Sequence, residues 1–323
     1  MPLVTDTRPL ALTARAGRPA TSVLEIGLIN NMSDGALEST ERQFSQLLSA
    51  AAGTLPVRLS FYTLPEIARG SVARERIETR YRPLDTLRHG ALDALIITGA
   101  EPRTAELGQE PYWQRLVELL DWAQSNVVSA VCSCLAAHAA VLHLTDIVRR
   151  PLAQKCCGVF EHEVDTEHWL TQRLSSPFPT PHSRWNDLDA EALRRGGYDL
   201  LAVSPTAGVN LFAKRQGDCH FVFWQGHPEY DDRSLLKEYQ RDIARYLSGE
   251  RDAYPSLPEG SFDAPVVECL RAYEQRARAA RDSCPPSDFP FELAAAGLTN
   301  RWRAAAVQVY RNWLEWMTVT RGS

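Results

Sequence analysis

No stretch of the 323-residue sequence reaches the run of about 18 apolar residues that a membrane-spanning helix needs. Residues 1–20 contain several prolines and arginines but no apolar signal segment, so a loose arm is expected there. A basic stripe is missing too. The net charge is -5, with acids and bases interspersed, which lacks the electrostatic footprint of a nucleic-acid binder. Neither a membrane nor a nucleic acid is therefore expected as a partner. The seven cysteines are an odd number and are not spaced as a disulfide ladder, which points to a reducing, cytoplasmic compartment. No paired C-x-x-C occurs and the eight histidines are scattered, so no metal site is expected. Internal repeats and low-complexity segments are absent as well. What is there is ordinary: 44% hydrophobic and 23% charged residues, in a chain long enough to bury a large core.

The hydrophobic pattern predicts alternating strands and helices. Residues 23–30 read as a buried strand, followed by a helix with Thr40, Phe44, Leu47 and Leu48 on one face. Residues 57–64 alternate Val57, Leu59 and Phe61 inward. Residues 92–99 form a nearly continuous apolar run ending at Gly99, as in a parallel strand covered on both faces. A helix over 112–125 carries Trp113, Leu116, Leu119, Leu120 and Ala123 on a stripe. A strand over 127–132 runs into Ser133 and Cys134, then into an alanine-rich helix over 135–144. Further strands are predicted at 200–203, 210–213 and 220–224, and helices at about 233–247, 265–281 and 300–317. The expected fold is α/β: a doubly wound, mostly parallel sheet flanked by helices, with a helical C-terminal extension. The domain reading is an arm over 1–20, an α/β domain over 21–250, and an extension over 251–323 packing on the same domain.

Two places carry candidate chemistry. Cys134 sits at a strand–helix turn, where the side chain is exposed and helix N–H groups can face a reacting carbonyl. The positive helix end also favours a thiolate, the reactive form. A buried inert thiol is the competing reading, and Cys132, deeper in the strand, is the competing cysteine. In the second place, His227 follows a strand ending at Gly226. Pro228 fixes the turn, and Glu229 is placed to orient the imidazole. A nucleophile, a base and an orienting acid make a triad by role. A lone histidine is more commonly structural; the Gly-His-Pro-Glu context and a candidate cysteine weigh against that here.

At these residues the chain resembles the homoserine O-acyltransferases of the homoserine O-succinyltransferase type, which have a class I glutamine amidotransferase-like fold. The likeness runs through Leu28-Ile29-Asn30-Asn31-Met32, Thr40-Glu41, and Leu95-Ile96-Ile97-Thr98-Gly99-Ala100. It continues through Tyr112-Trp113, Cys134, Lys155, Gly158-Val159-Phe160-Glu161-His162 and Pro181-His182-Ser183-Arg184. Gly226-His227-Pro228-Glu229-Tyr230-Asp231, Glu238-Tyr239, Arg241-Asp242, Trp302-Arg303 and Asn312-Trp313-Leu314 complete it.

The resemblance implies a ping-pong acyl transfer serving amino-acid, specifically methionine, biosynthesis. Cys134 would take the acyl group from an acyl-CoA co-substrate (succinyl-CoA or acetyl-CoA), with no bound cofactor. The Leu135 N–H would serve the oxyanion. His227, oriented by Glu229, would then activate the hydroxyl of homoserine or a related acceptor such as serine. Lys155, Ser183 and Arg241 would hold that acceptor, although on the residues alone Lys155 and Arg241 read as surface charge. Arg103 stands where the family selects its acyl group: a small residue there goes with succinyl and a glutamate with acetyl, and arginine fits neither. It can pair with a succinyl carboxylate, which tips the expectation to succinyl; filling the pocket, so that only acetyl fits, and pointing to solvent or to a CoA phosphate are the competing readings. A homodimer is expected. The sequence departs from the family at Met32 to Ser39, which has no lysine, and at His138, where a glutamine is usual.

Two other readings compete. A glutamine amidotransferase-like amidohydrolase shares the cysteine turn and the His-Pro-Glu stretch. It normally has glycine two before and two after the cysteine, where this chain has Cys132 and Ala136. A non-catalytic binding protein on the same fold would form no adduct at Cys134.

Overall fold

The computed structural model describes residues 3–5, 23–89, 92–281 and 284–321. Within the arm expected over 1–20, Leu3–Thr5 forms a short edge strand (β1), and the rest lies outside the described residues. Then come β2 (Leu24–Ile29), α1 (Leu37–Ala52), β3 (Val57–Tyr62), α2 (Ser71–Arg80) and β4 (Ala94–Thr98). They are followed by α3 (Trp113–Asn126), β5 (Ser129–Ser133) and α4 (Leu135–Thr145). A long hairpin, β6 (Arg150–Val164) and β7 (Phe178–Asp187), leads through α5 (Ala190–Arg195) to β8 (Asp199–Ser204), β9 (Gly208–Gln216) and β10 (Cys219–Trp224). The chain ends with α6 (Ser234–Leu247), α7 (Ala264–Ala279), α8 (Phe291–Ala295) and α9 (Arg303–Thr320).

The ten described strands form one sheet in the order β1-β3-β2-β4-β5-β10-β9-β8-β6-β7. From β1 to β10 every pairing is parallel; from β10 to β7 every pairing is antiparallel. Side chains alternate across a strand, and both faces here are dry. Leu24, Ile26, Leu28, Ala94 and Ile96 pack on one face with α1 and α9; Leu95, Ile97, Ala130 and Cys132 pack on the other with α3 and α4. This explains why β3 is buried at Ser60 and Tyr62 as well as at its alternating apolar positions.

The C-terminal segment does two things. Helices α6, α7 and α8 share a small core of their own around Leu236, Tyr239, Ile243, Leu270, Tyr273 and Phe289. Helix α9 returns to the main core, where Leu314 and Met317 are fully buried. Burying each such side chain contributes about 1.5–3 kcal/mol. Trp313 Nε1 donates to Ser129 Oγ at 2.9 Å, and that hydroxyl donates to the His220 carbonyl at 2.6 Å. One side chain of α9 thus ties β5 to β10, the two strands that end at the candidate catalytic residues. No helix among the described residues is long and apolar enough to cross a membrane.

The β6/β7 hairpin and α2 have no counterpart in the sequence-based prediction. Pro151, Pro177, Pro179 and Pro181 interrupt the hairpin's strand pattern. The structure accommodates three of them in or beside β7, the outermost strand, where a missing N–H costs no ladder bond. Helix α2 buries only Ala73 and so has no apolar stripe to read.

Candidate active site

The parallel strands deliver their carboxyl ends to one edge of the sheet, the usual ligand edge of such folds. Asn31 stitches that edge together. Its backbone N–H meets Thr98 Oγ1 at 2.8 Å, its Nδ2 meets the Thr98 carbonyl at 3.1 Å, and its Oδ1 accepts from Leu64 N at 3.0 Å.

Cys134 follows β5 at this edge and caps α4 with φ 53° and ψ −115°. A non-glycine residue in that region is strained. The conformation is held by Cys134 N–H donating to the Trp224 carbonyl at 2.7 Å, across to the end of β10. Leu135 opens α4, so its N–H has no acceptor within the helix. Gly99 allows the end of β4 to close on this turn: a Cβ there would lie 2.5 Å from Leu135 Cβ and 3.1 Å from Leu135 N. Among the neighbouring thiols, Cys132 is fully buried and burial pushes its thiol well up. Cys157, on the hairpin, is pushed up to about 12 by burial.

His227 lies just beyond β10, with its N–H donating to the Pro181 carbonyl at 2.8 Å. Gly226 before it is packed so tightly that a Cβ would come within 2.8 Å of the Pro181 carbonyl oxygen. His227 Nδ1 is 2.8 Å from Glu229 Oε1. The other ring nitrogen is left over, and Cys134 is near enough to act electrostatically on the imidazole. Burial disfavours the charged ring, but neighbouring Cys134 and Glu229 outweigh it and hold the imidazole well above its ordinary range. Cys134, His227 and Glu229 are thus brought together.

Tyr230 covers the imidazole, with ring centroids 4.1 Å apart and planes 17° from parallel. Its carbonyl accepts from Asn300 Nδ2 and Trp302 Nε1, each at 3.0 Å, so the C-terminal segment fastens the turn that carries His227. Behind it, His182 and His162 approach at 3.1 Å between Nε2 atoms. Burial and Arg184 keep His182 neutral, well below the usual imidazole range. His138 Nε2 meets Gln225 Oε1 at 2.8 Å, and burial depresses its imidazole to about 3.

The three residues expected at the acceptor also converge. Lys155 on β6 meets Asp242 Oδ2 at 2.7 Å and lies 4.0 Å from Glu238 Oε2. Burial works against the Lys155 ammonium, yet the neighbouring Cys157, Glu238 and Asp242 raise it. Ser183 on β7 donates to Glu238. Tyr230 Oη donates to the other oxygen of that carboxylate at 2.6 Å. Arg241 reaches Asp242 Oδ1 at 3.2 Å, with half of its side chain exposed. Sequence reasoning gave no role to Glu238 and Asp242, the acids that organise this cluster. Two signals were available: both acids stand in stretches that carry the family likeness, and with Arg241 they share one face of α6 at helical intervals.

Arg103 lies beyond the end of β4 with its side chain exposed. Its backbone N–H donates to Glu110 Oε1 at 2.7 Å. The loop without the family's lysine is held by Arg69, which donates to the Met32 carbonyl at 2.5 Å and pairs with Asp34 at 3.2 Å.

A mixed sheet carrying a cysteine at a strand–helix turn, with a His-Glu couple at the next strand end, defines a glutamine amidotransferase-like α/β fold. A glutamine amidotransferase from Methylobacillus flagellatus has a similar fold, at 12% identity and a TM-score of 0.50, over 90% of this chain and 94% of that one. Within that class, the family model for homoserine O-succinyltransferase matches residues 7–322. A homoserine O-succinyltransferase of Rhodopseudomonas palustris is 50% identical over 91% of this chain and 88% of the relative. One from Bradyrhizobium japonicum is 44% identical over 91% of this chain and 90% of the relative. The chain belongs to the homoserine O-succinyltransferase family, and so to the acyltransferases.

Proposed function

We propose that this protein transfers the succinyl group of succinyl-CoA to the hydroxyl of homoserine through a thioester on Cys134. The observation that carries the reading is the grouping of half-buried Cys134 with the buried His227–Glu229 pair at the sheet edge, in a member of this family. In the first half-reaction Cys134 Sγ bonds to the acyl carbon. The Leu135 N–H faces the developing oxyanion. The carbon–sulfur bond to CoA then breaks, and the CoA sulfur takes the proton held by His227. In the second half-reaction the acceptor hydroxyl gives its proton to His227. Its oxygen bonds to the acyl carbon, and Cys134 leaves as thiolate. Glu229 holds the ring for both transfers and offsets its charge.

The cluster on α6 and the hairpin suits a zwitterionic acceptor. Arg241, half exposed, can exchange its Asp242 partner and turn its two-pronged donor face to an α-carboxylate. Glu238 is the acceptor for an α-ammonium, and Lys155 and Ser183 hold that carboxylate in place. The test is initial-rate kinetics with both substrates varied, together with CoA release in the absence of acceptor. Parallel double-reciprocal lines and acceptor-independent release of one equivalent of CoA are expected. Intersecting lines with no release until homoserine is added would refute the thioester route. Glutamine hydrolysis at a comparable rate would refute the acyl transfer.

A further inference from the structure

One residue touches both halves of the site, and the steps above give it no part. Tyr230 closes the turn that carries the catalytic imidazole: its N–H donates to the His227 carbonyl at 3.2 Å. That turn folds the phenol back over the histidine that opens it, with ring centroids 4.1 Å apart and planes 17° from parallel. The contact between His227 Nδ1 and Glu229 Oε1 fixes one edge of the imidazole but leaves the ring free to tilt about that line. The stacked phenol removes this freedom.

The phenol is itself fixed at both ends. Its backbone carbonyl is held by Asn300 and Trp302. Its hydroxyl donates to Glu238 Oε1 at 2.6 Å, the length of a charge-assisted bond from O–H to a carboxylate. The other oxygen of Glu238 accepts from Ser183 and lies 4.0 Å from Lys155 Nζ. Tyr230 is buried, whereas Glu238 is only half-buried. Packing alone does not require the hydroxyl, since a phenylalanine ring would cover the imidazole equally well.

We propose that Tyr230 is a positioning residue that ties the orientation of the His227 ring to the carboxylate of Glu238. The inference rests on the two-step reading above and deepens it. The carboxylate that receives the ammonium group of the acceptor also anchors the ring that aligns the base with the acceptor's hydroxyl. Tyr230 moves no proton itself. Burial, with Glu238 and Glu229 beside it, holds its hydroxyl well above the usual phenol range, so it remains a donor. The tie matters unequally in the two half-reactions. In the first no acceptor is present, and the stack alone serves the imidazole. In the second the acceptor is held at Glu238 while its hydroxyl must meet the imidazole nitrogen, so an error in the angle between the two acts directly on the rate.

Single-turnover measurements separate the two steps. CoA release from succinyl-CoA without acceptor reads the first, and discharge of the succinyl-enzyme by saturating homoserine reads the second. Tyr230→Phe keeps the ring and loses the hydroxyl. It should slow discharge by about 3- to 10-fold, somewhat less than the worth of a whole hydrogen bond to a charged group, with a much smaller effect on CoA release. Tyr230→Leu removes the ring and should slow both steps by about 10-fold or more, because both use His227. The phenylalanine variant preserves the packing, so it decides the matter even if the leucine variant is too unstable to assay. Equal slowing of both steps in Tyr230→Phe, or of neither, overturns the tie. A raised homoserine KM with saturating discharge at the parent rate also overturns it, because the hydroxyl then serves Glu238 in binding only. A parent that releases no CoA without acceptor overturns the two-step reading itself, and shows it before any variant is made.

Discussion

The two sides of the candidate site are built differently. On the nucleophile side, His227 and Glu229 are 5% and 4% exposed and are already bonded to each other. Cys134 is locked by a backbone hydrogen bond to β10. On the acceptor side, Lys155, Ser183 and Arg241 are satisfied by Glu238 and Asp242, and Arg241 is half exposed. The first side is fixed by strand ends and needs no rearrangement. The second is held by charges neutralising one another, so a charged acceptor must exchange places with a partner already present. Chemistry should therefore be sensitive to atoms on one side, and affinity to charge geometry on the other.

The sharpest way to break that contrast is at Cys134. Cys134→Ser should abolish turnover, whereas Cys132→Ser, in a buried strand position, should retain much of it; rates of CoA release decide between them. Loss of activity in the Cys132 variant alone would move the nucleophile. His227→Ala should cost about 10²–10⁴ in kcat, the worth of general-base help. Glu229→Gln should cost less, because the amide still holds the ring while the charge is lost.

On the acceptor side the effect should shift from kcat to KM. Arg241→Lys keeps the charge but loses the two-pronged geometry. It should raise the homoserine KM several-fold while leaving the succinyl-CoA KM near the parent value. Equal changes in both would erase the distinction between the two sides.

The smallest expected effect concerns stability. His138 is depressed to about 3 and His162 to about 4, both chiefly by burial. Between those values and the ordinary 6.5 the unfolded chain binds protons that the folded one does not. Their contribution is thus complete above pH 6.5 and is lost as pH falls towards 4. His138→Gln removes one such group and keeps an amide facing Gln225. Its Tm should fall less steeply than the parent's between pH 6.5 and 4. Parallel curves would mean that His138 is not held neutral.

Much of the nucleophile side was legible in the sequence because its geometry is local. An apolar run into Ser133-Cys134 and then an alanine-rich helix can form little but a strand–turn–helix, and Gly226-His227-Pro228-Glu229 carries its own orienting acid. The acceptor side was legible only through the family likeness. Lys155 and Asp242 lie 87 positions apart, and nothing in either local pattern announces the pair. The hairpin that carries Lys155 and Ser183 was hidden by its prolines, which an edge strand tolerates.

The central claim is the thioester on Cys134, and intact mass spectrometry tests it most directly. The protein is mixed with succinyl-CoA without acceptor, and then homoserine is added. The account predicts a mass increase of one succinyl group, located on Cys134 by peptide mapping and discharged by homoserine. Full turnover with no adduct, or an adduct on another residue that homoserine discharges at the catalytic rate, would contradict it.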